Sequence, residues 1–221
     1  MLETNLITSR LIAHRGLWSE TNPANSESAL KLAIDLGFGI ETDIRDHRGQ
    51  VVISHDPPLD ANDLMIASNL IKNFESSQSS GLLALNIKAD GLDKWVENQT
   101  FQLSKLNYFC FDMSWPQLLT FVDRDVPVAI RVSEWEKLDY QLFMRLGIPI
   151  RVWLDSFHSD WWLESPQIEE LTKRGQVIIV SPEIHGRSPQ AVWEWFAEKL
   201  RMKLDVYLCT DHCIEVVERF T

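Results

Sequence analysis

Residues 11–44, LIAHRGLWSETNPANSESALKLAIDLGFGIETDI, contain the unit that decides the fold. LIAH is a short apolar run of strand type, and GIETDI is another. Between them SESALKLAIDLG has helical period: Leu30, Ala33 and Ile34 share a face, Ser26 is placed to cap the N-terminus, and Gly37 closes the helix. A strand, a helix and a second strand in that order form a parallel βαβ unit.

The same alternation continues outward. VVISH, LLALNIK, YFCFDM, VPVAIRV, IRVWLDSF, VIIVSPEI and DVYLCTD all read as strands between amphipathic stretches. Their nearly continuous apolar character fits strands covered on both faces. Eight or nine of them within 221 residues predict a single-domain (β/α)8 TIM barrel over residues 1–221, with an open doubly wound sheet as the rival. KNFESSQSSG (72–81) is polar and Ser-rich and reads as a mobile loop. No internal repeat or second domain is visible.

Composition narrows the function classes. A net charge of −11 argues against a nucleic-acid surface, which needs clustered Lys and Arg, and discourages stable association with anionic membranes. The N-terminus lacks an apolar segment ahead of a cleavage site, so the expected location is the cytoplasm. Three cysteines, with no CxxC pair, read as buried thiols. Nine tryptophans are expected mostly as core or helix-packing residues, with one or two free to line a pocket.

Polar residues recur where the predicted strands end: His14, Glu41 with Asp43, His55, Asn86 with Lys88, Asp112, Arg131, Asp155, Glu183 and Asp211. In a barrel these ends open on one face, where charged residues read as catalytic. Asp112 and Asp211 fit equally well as helix caps or turn residues. Glu41 and Asp43 are two apart, so both point the same way, and two like charges at a barrel mouth call for a cation. Oxygen ligands suit a hard divalent ion, Mg²⁺ or Ca²⁺. His14 and His55 stand on either side of this pair and can supply a general base and a general acid. Asn86 and Lys88 also face one way, bringing an amide oxygen and a fixed positive charge. Arg15 offers a donor fork for phosphate oxygens. Together the set describes a site that stabilises a transferring phosphoryl group.

At these residues the chain resembles the glycerophosphodiester phosphodiesterase family. The likeness lies in His14-Arg15-Gly16 ending a strand, Asn25-Ser26 before a helix, Glu41-Thr42-Asp43, and His55-Asp56 after a short hairpin. It implies that His14 and His55 are the catalytic pair, that Glu41 and Asp43 bind the metal, that Arg15 contacts phosphate, and that Lys88 is the family's strand-borne lysine. Asn86 departs from the pattern by standing where a third carboxylate ligand is usual, which leaves Asp155 or Glu183 as possible compensation. The later half departs too, in VSPEIHGR and YLCTDH. There Glu183 is a candidate acceptor for a sugar or glycerol hydroxyl, and His185 and Arg187 read either as substrate contacts or as an ordinary turn. The expected activity is metal-dependent hydrolysis of a glycerophosphodiester or related small phosphodiester. The alternatives are a lapsed barrel acting as a binding module, and a lyase or transferase that forms a cyclic phosphate or acts on a lipid headgroup.

Overall fold

The computed structural model describes residues 1–59, 64–77 and 79–221. Its strands are β1 (Leu11–His14), β2 (Gly39–His47), β3 (Gln50–Ile53), β4 (Leu83–Ile87), β5 (Tyr108–Phe111), β6 (Ile130–Val132), β7 (Arg151–Leu154), β8 (Gln176–Val180) and β9 (Val206–Thr210). Parallel pairing runs in the order β5-β4-β2-β1-β9-β8-β7-β6, and β3 folds back antiparallel on β2 as a hairpin. The ring closes between β5 and β6 through a parallel bridge of Cys110 with Val128. Two hydrogen bonds mark that seam, Cys110 N–H to Pro127 O at 2.9 Å and Ala129 N–H to Cys110 O at 3.0 Å. Helices alternate with the strands, so the predicted (β/α)8 barrel is the observed fold.

Two apolar layers follow from the period-two geometry of the strands. Ala13, Ile40, Leu85, Val152, Ile179 and Leu208 point outward into the shell beneath the helices. Ile12, Ala84, Phe109, Phe111, Ala129, Trp153, Ile178, Val180 and Cys209 point inward and fill the barrel. Phe111 and Trp153 stack with ring centroids 4.0 Å apart. They meet inside the barrel where the small Ala129, just before β6, leaves room.

Local chemistry sets the ends of the elements. Ser26 Oγ accepts from Ala29 N–H at 3.2 Å, capping the helix Glu27–Asp35, and Gly37 takes φ +82° just past its end. Gly16 also requires glycine: φ is +84°, and a Cβ there would lie 2.6 Å from the carbonyl carbon of Ala29.

Several expectations are corrected. KNFESSQSSG is not a loop from its start, because Lys72–Ser77 complete the helix Ala67–Ser77. Ala67, Leu70, Ile71 and Phe74 form its buried face, a period hidden when the stretch is read from Lys72 onward; Gln78 lies outside the described residues. VPVAIRV forms strand only over Ile130–Val132. VIIVSPEI stops being a strand at Val180, and Pro182–His185 turn into a 3₁₀ helix carrying Glu183. Five of the nine tryptophans pack in or against the core, as expected, Trp153, Trp162 and Trp193 buried and Trp95 and Trp195 partly so on their helices, whereas Trp18, Trp115, Trp135 and Trp161 are exposed in segments that follow β1, β5, β6 and β7. Cys110, Cys209 and Cys213 are buried free thiols, as expected. Among the described residues no helix is long and apolar enough to cross a membrane.

Gly16→Ala is expected to lower unfolding stability in urea by about 1–3 kcal/mol, from a strained φ together with a backbone collision. An unchanged midpoint would show that the turn after β1 relaxes freely.

Candidate active site

The inward positions that carry apolar side chains deep in the barrel carry polar ones at its mouth. Two residues beyond Ile12 comes His14, beyond Ala84 comes Asn86 and then Lys88, beyond Ala129 comes Arg131, beyond Trp153 comes Asp155, and beyond Cys209 comes Asp211. On β2 the inward series is Gly39, Glu41, Asp43. His14, Glu41, Asn86, Lys88 and Asp155 line one cavity of about 210 Å³ whose floor is Phe111 and Trp153. His55 reaches the same cavity from the bend after β3, with its side chain 43% exposed and Nδ1 2.9 Å from Asp56 Oδ1. A larger cleft of about 830 Å³, lined by Gly147, Arg151, Gln176 and Asp205, lies where β7, β8 and β9 begin, at the opposite end of the barrel from these residues.

Asp43 is fully buried and held from three sides. Asn25 donates its amide N–H to Oδ2 at 2.8 Å, Arg15 Nε lies 3.1 Å from Oδ2, and Lys88 Nζ lies 3.4 Å from Oδ1. The Asn25 side-chain oxygen accepts in turn from Thr42 Oγ1 at 2.8 Å, which fixes the amide's orientation. Arg15, Asn25 and Asp112 all take left-handed φ, of 57°, 64° and 68°. Such conformations cost energy for residues with a Cβ, and here they cluster around the mouth.

Glu41 is buried beside Asp43, and Asn86 donates its amide N–H to Oε1 at 3.1 Å. Burial first, then the Asp43 charge, push its carboxyl up to about 6, against the pull of His14 and the Asn86 hydrogen bond. Glu41 Oε2, Asp43 Oδ1 and Asn86 Oδ1 are buried without a hydrogen-bond partner. Buried polar atoms normally accept hydrogen bonds, so three oxygens that accept none, of which only Asp43 Oδ1 has a fixed cation near it in Lys88, fit a hard cation at the residues expected to ligate a metal. Asp155 and Glu183 do not complete the set: among the described residues no group of three or more His, Cys, Asp or Glu side chains could hold a metal ion.

Asp211 is no helix cap. Its Oδ1 lies 2.9 Å from His14 Nδ1 and accepts from Trp18 Nε1–H at 2.9 Å. Burial opposes protonation of His14, but the Asp211 hydrogen bond and the Glu41 and Asp211 charges outweigh it and raise the imidazole above its usual value. Burial likewise opposes ionisation of Asp211, and the bond to His14 overcomes it and lowers that carboxyl. Nδ1 so engaged leaves Nε2, 3.9 Å from Glu41 Oε2, as the free ring nitrogen. Asp112 is not a cap either, since Ser114 caps the following helix; it pairs with Arg131 Nη1 at 2.7 Å and lies 3.6 Å from Lys88 Nζ.

Glu183 is brought close but points elsewhere. Its carboxylate accepts from Ser181 Oγ, Thr210 Oγ1 and the Asp211 N–H, tying the turn after β8 to the end of β9. Arg187 is bound to Asp160 at 2.5 Å and to Ser156. Sequence reading missed the partnership of His14 with Asp211, whose signal is the inward alternation after Cys209.

No family model matches the sequence, and no curated protein matches it. In structure the chain is similar to solved parallel barrels. One is a glycerophosphodiester phosphodiesterase from Parabacteroides distasonis, at TM-score 0.68 and 16% identity over 96% of this chain and 97% of that one. Another is an Oleispira antarctica phosphodiesterase in complex with the product sn-glycerol-3-phosphate, at TM-score 0.64 and 16% identity over 97% and 99%. Dihydrodipicolinate synthase from Rhodopseudomonas palustris is similar at TM-score 0.52 and 11% identity over 97% and 74%. At such identities the shared property is the barrel.

Asp211→Asn keeps an acceptor and removes the charge, so the His14 imidazole should titrate at a lower pH than in the wild type. The Asp211–His14 contribution to stability is full below the ordinary histidine value and is lost as pH rises through the raised one. NMR titration of the His14 ring in metal-free protein checks the first, and urea unfolding of both proteins across that pH range checks the second; an unshifted midpoint would sever the pair.

Proposed function

We propose that the chain is a phosphodiesterase that hydrolyses a glycerophosphodiester or a related small phosphodiester. The observation that carries this reading is the meeting, at one barrel mouth, of a histidine oriented by Asp211, the cations Arg15 and Lys88, and the buried Glu41, Asp43 and Asn86 oxygens that accept no hydrogen bond. The barrel's likeness to phosphodiesterases and the His14-Arg15-Gly16, Glu41-Thr42-Asp43 and His55-Asp56 motifs support it.

Glu41, Asp43 and Asn86 would hold a divalent cation, Mg²⁺ or Ca²⁺, which would offset charge on the phosphodiester and lower the pKa of a bound hydroxyl. Arg15 and Lys88 bind the phosphate oxygens; both are already drawn to this point by Asp43, so little ordering is left for the substrate. His14 and His55 share the proton traffic: one takes the proton of the attacking water as its oxygen bonds to phosphorus, and the other gives a proton to the leaving alkoxide as that ester bond breaks. The products are a phosphomonoester and an alcohol. Asp211 holds His14 in one tautomer throughout. An intact His14–Asp211 pair favours this reading over a lapsed binding module, which has no use for a histidine so oriented.

Hydrolysis of glycerophosphodiesters and bis(p-nitrophenyl) phosphate with Mg²⁺ or Ca²⁺ is expected in the wild type, with loss of at least about a hundred-fold on adding EDTA and in His14→Ala. Activity untouched by either would overturn the assignment. Thermal stabilisation by Mg²⁺ or Ca²⁺ is expected to shrink as pH falls through about 6, where Glu41 takes up its proton, and to vanish in Glu41→Gln; a shift that is insensitive to both would place the ion elsewhere.

A further inference from the structure

The cavity has a second histidine–carboxylate pair that the hydrolysis above does not use. His185 Nε2 lies 2.8 Å from Asp155 Oδ1. Asp155 is buried at the end of β7, and its Oδ1 also accepts from the Ser156 N–H at 2.8 Å. His185 closes the 3₁₀ turn after β8, and its ring packs on Phe157 with centroids 5.0 Å apart. Both residues line the same cavity as His14, Glu41 and Lys88.

Their place in the ring gives the pair meaning. Around the closed barrel β7 stands diametrically across from β2, and β8 from β4. Glu41, Asp43, Asn86 and Lys88 come from β2 and β4, so the phosphate-binding side and the His185–Asp155 side are opposite walls. A cavity of about 210 Å³ leaves room between them for a phosphoryl group with one small alcohol arm. The wall that receives the arm is otherwise apolar, formed by Trp153, Val180 and Ile184. Arg131 on that side is occupied by Asp112 and by a two-pronged pair with Glu136 at 2.9–3.0 Å.

A neutral histidine bonded to a carboxylate through Nε2 keeps its proton there and presents Nδ1 as an acceptor. Among the described residues neither His185 Nδ1 nor Asp155 Oδ2 makes a hydrogen bond. Two fixed acceptors on an apolar wall match two neighbouring hydroxyl groups and leave an aliphatic arm unmatched.

Resting on the phosphodiesterase reading, we propose that His185 and Asp155 form the subsite that recognises the hydroxyls of the substrate's alcohol arm, making a vicinal diol the preferred group. The test compares two diesters that differ only in this arm, one glyceryl and one propyl, in the wild type, His185→Phe and Asp155→Asn. The wild type should favour the glyceryl ester, and both variants should raise its KM by about ten- to a hundred-fold while changing kcat/KM for the propyl ester less than about two-fold. Equal losses on both esters, or none on either, would overturn the subsite. Calorimetric binding of glycerol 3-phosphate against propyl phosphate gives a readout without turnover. Preference for the glyceryl compound in the wild type and its loss in His185→Phe support the subsite even if no diester is hydrolysed; absence of preference in the wild type refutes it even if hydrolysis is brisk.

Discussion

Closure of the barrel imposes the constraint from which the site follows. Once eight parallel strands form a ring, every second side chain of each strand must go inside, and neighbouring strands compete for one small volume. Deep in the ring that volume takes Ile12, Ala84, Ala129, Trp153 and Cys209. One step higher the same series delivers His14, Asn86, Arg131, Asp155 and Asp211. Core and site are thus successive layers of one packing pattern, and the Phe111–Trp153 stack is the boundary between them.

Charge at that boundary is costly to hold. Glu41 and Asp43 are forced to the same side by their spacing, and both are buried. Asp43 is relieved by Arg15, Lys88 and Asn25, while Glu41 keeps an elevated pKa and an oxygen without a partner. Arg15 and Asn25, which hold Asp43, both adopt left-handed backbone. The chain spends local conformational energy to gather opposite charges around a place that remains electrostatically unfinished, which is the pattern of a binding site rather than of a structural ion-pair network.

The barrel was legible because helical and strand periods alternate from Leu11 onward, and period two on β2 and β4 placed Glu41, Asp43, Asn86 and Lys88 correctly on one face. What one strand shows alone could be read, and pairing between distant strands could not. His14 and Asp211 are 197 positions apart, so Asp211 passed equally well for a cap. Glu183 illustrates the converse: its place beside the mouth is right, but its carboxylate is consumed by Ser181, Thr210 and the Asp211 amide. Tryptophan content told that most would pack in or against the core but not which, because burial depends on position, and the segments beyond the strand ends hold the four exposed ones.

The seam between β5 and β6 has a mechanical consequence. A ring resists radial distortion only as well as its weakest joint, and the backbone of this one is fastened by two hydrogen bonds around Cys110, with the Asp112–Arg131 ion pair above them, where β2 and β4 share five registered residue pairs. Hoop compliance is therefore unequal around the barrel. Phe111 and Arg131 flank the soft joint, so any breathing of the ring changes the width of the cavity between them first, while the hydrogen-bonded arc that carries His14, Glu41 and Asn86 keeps its shape.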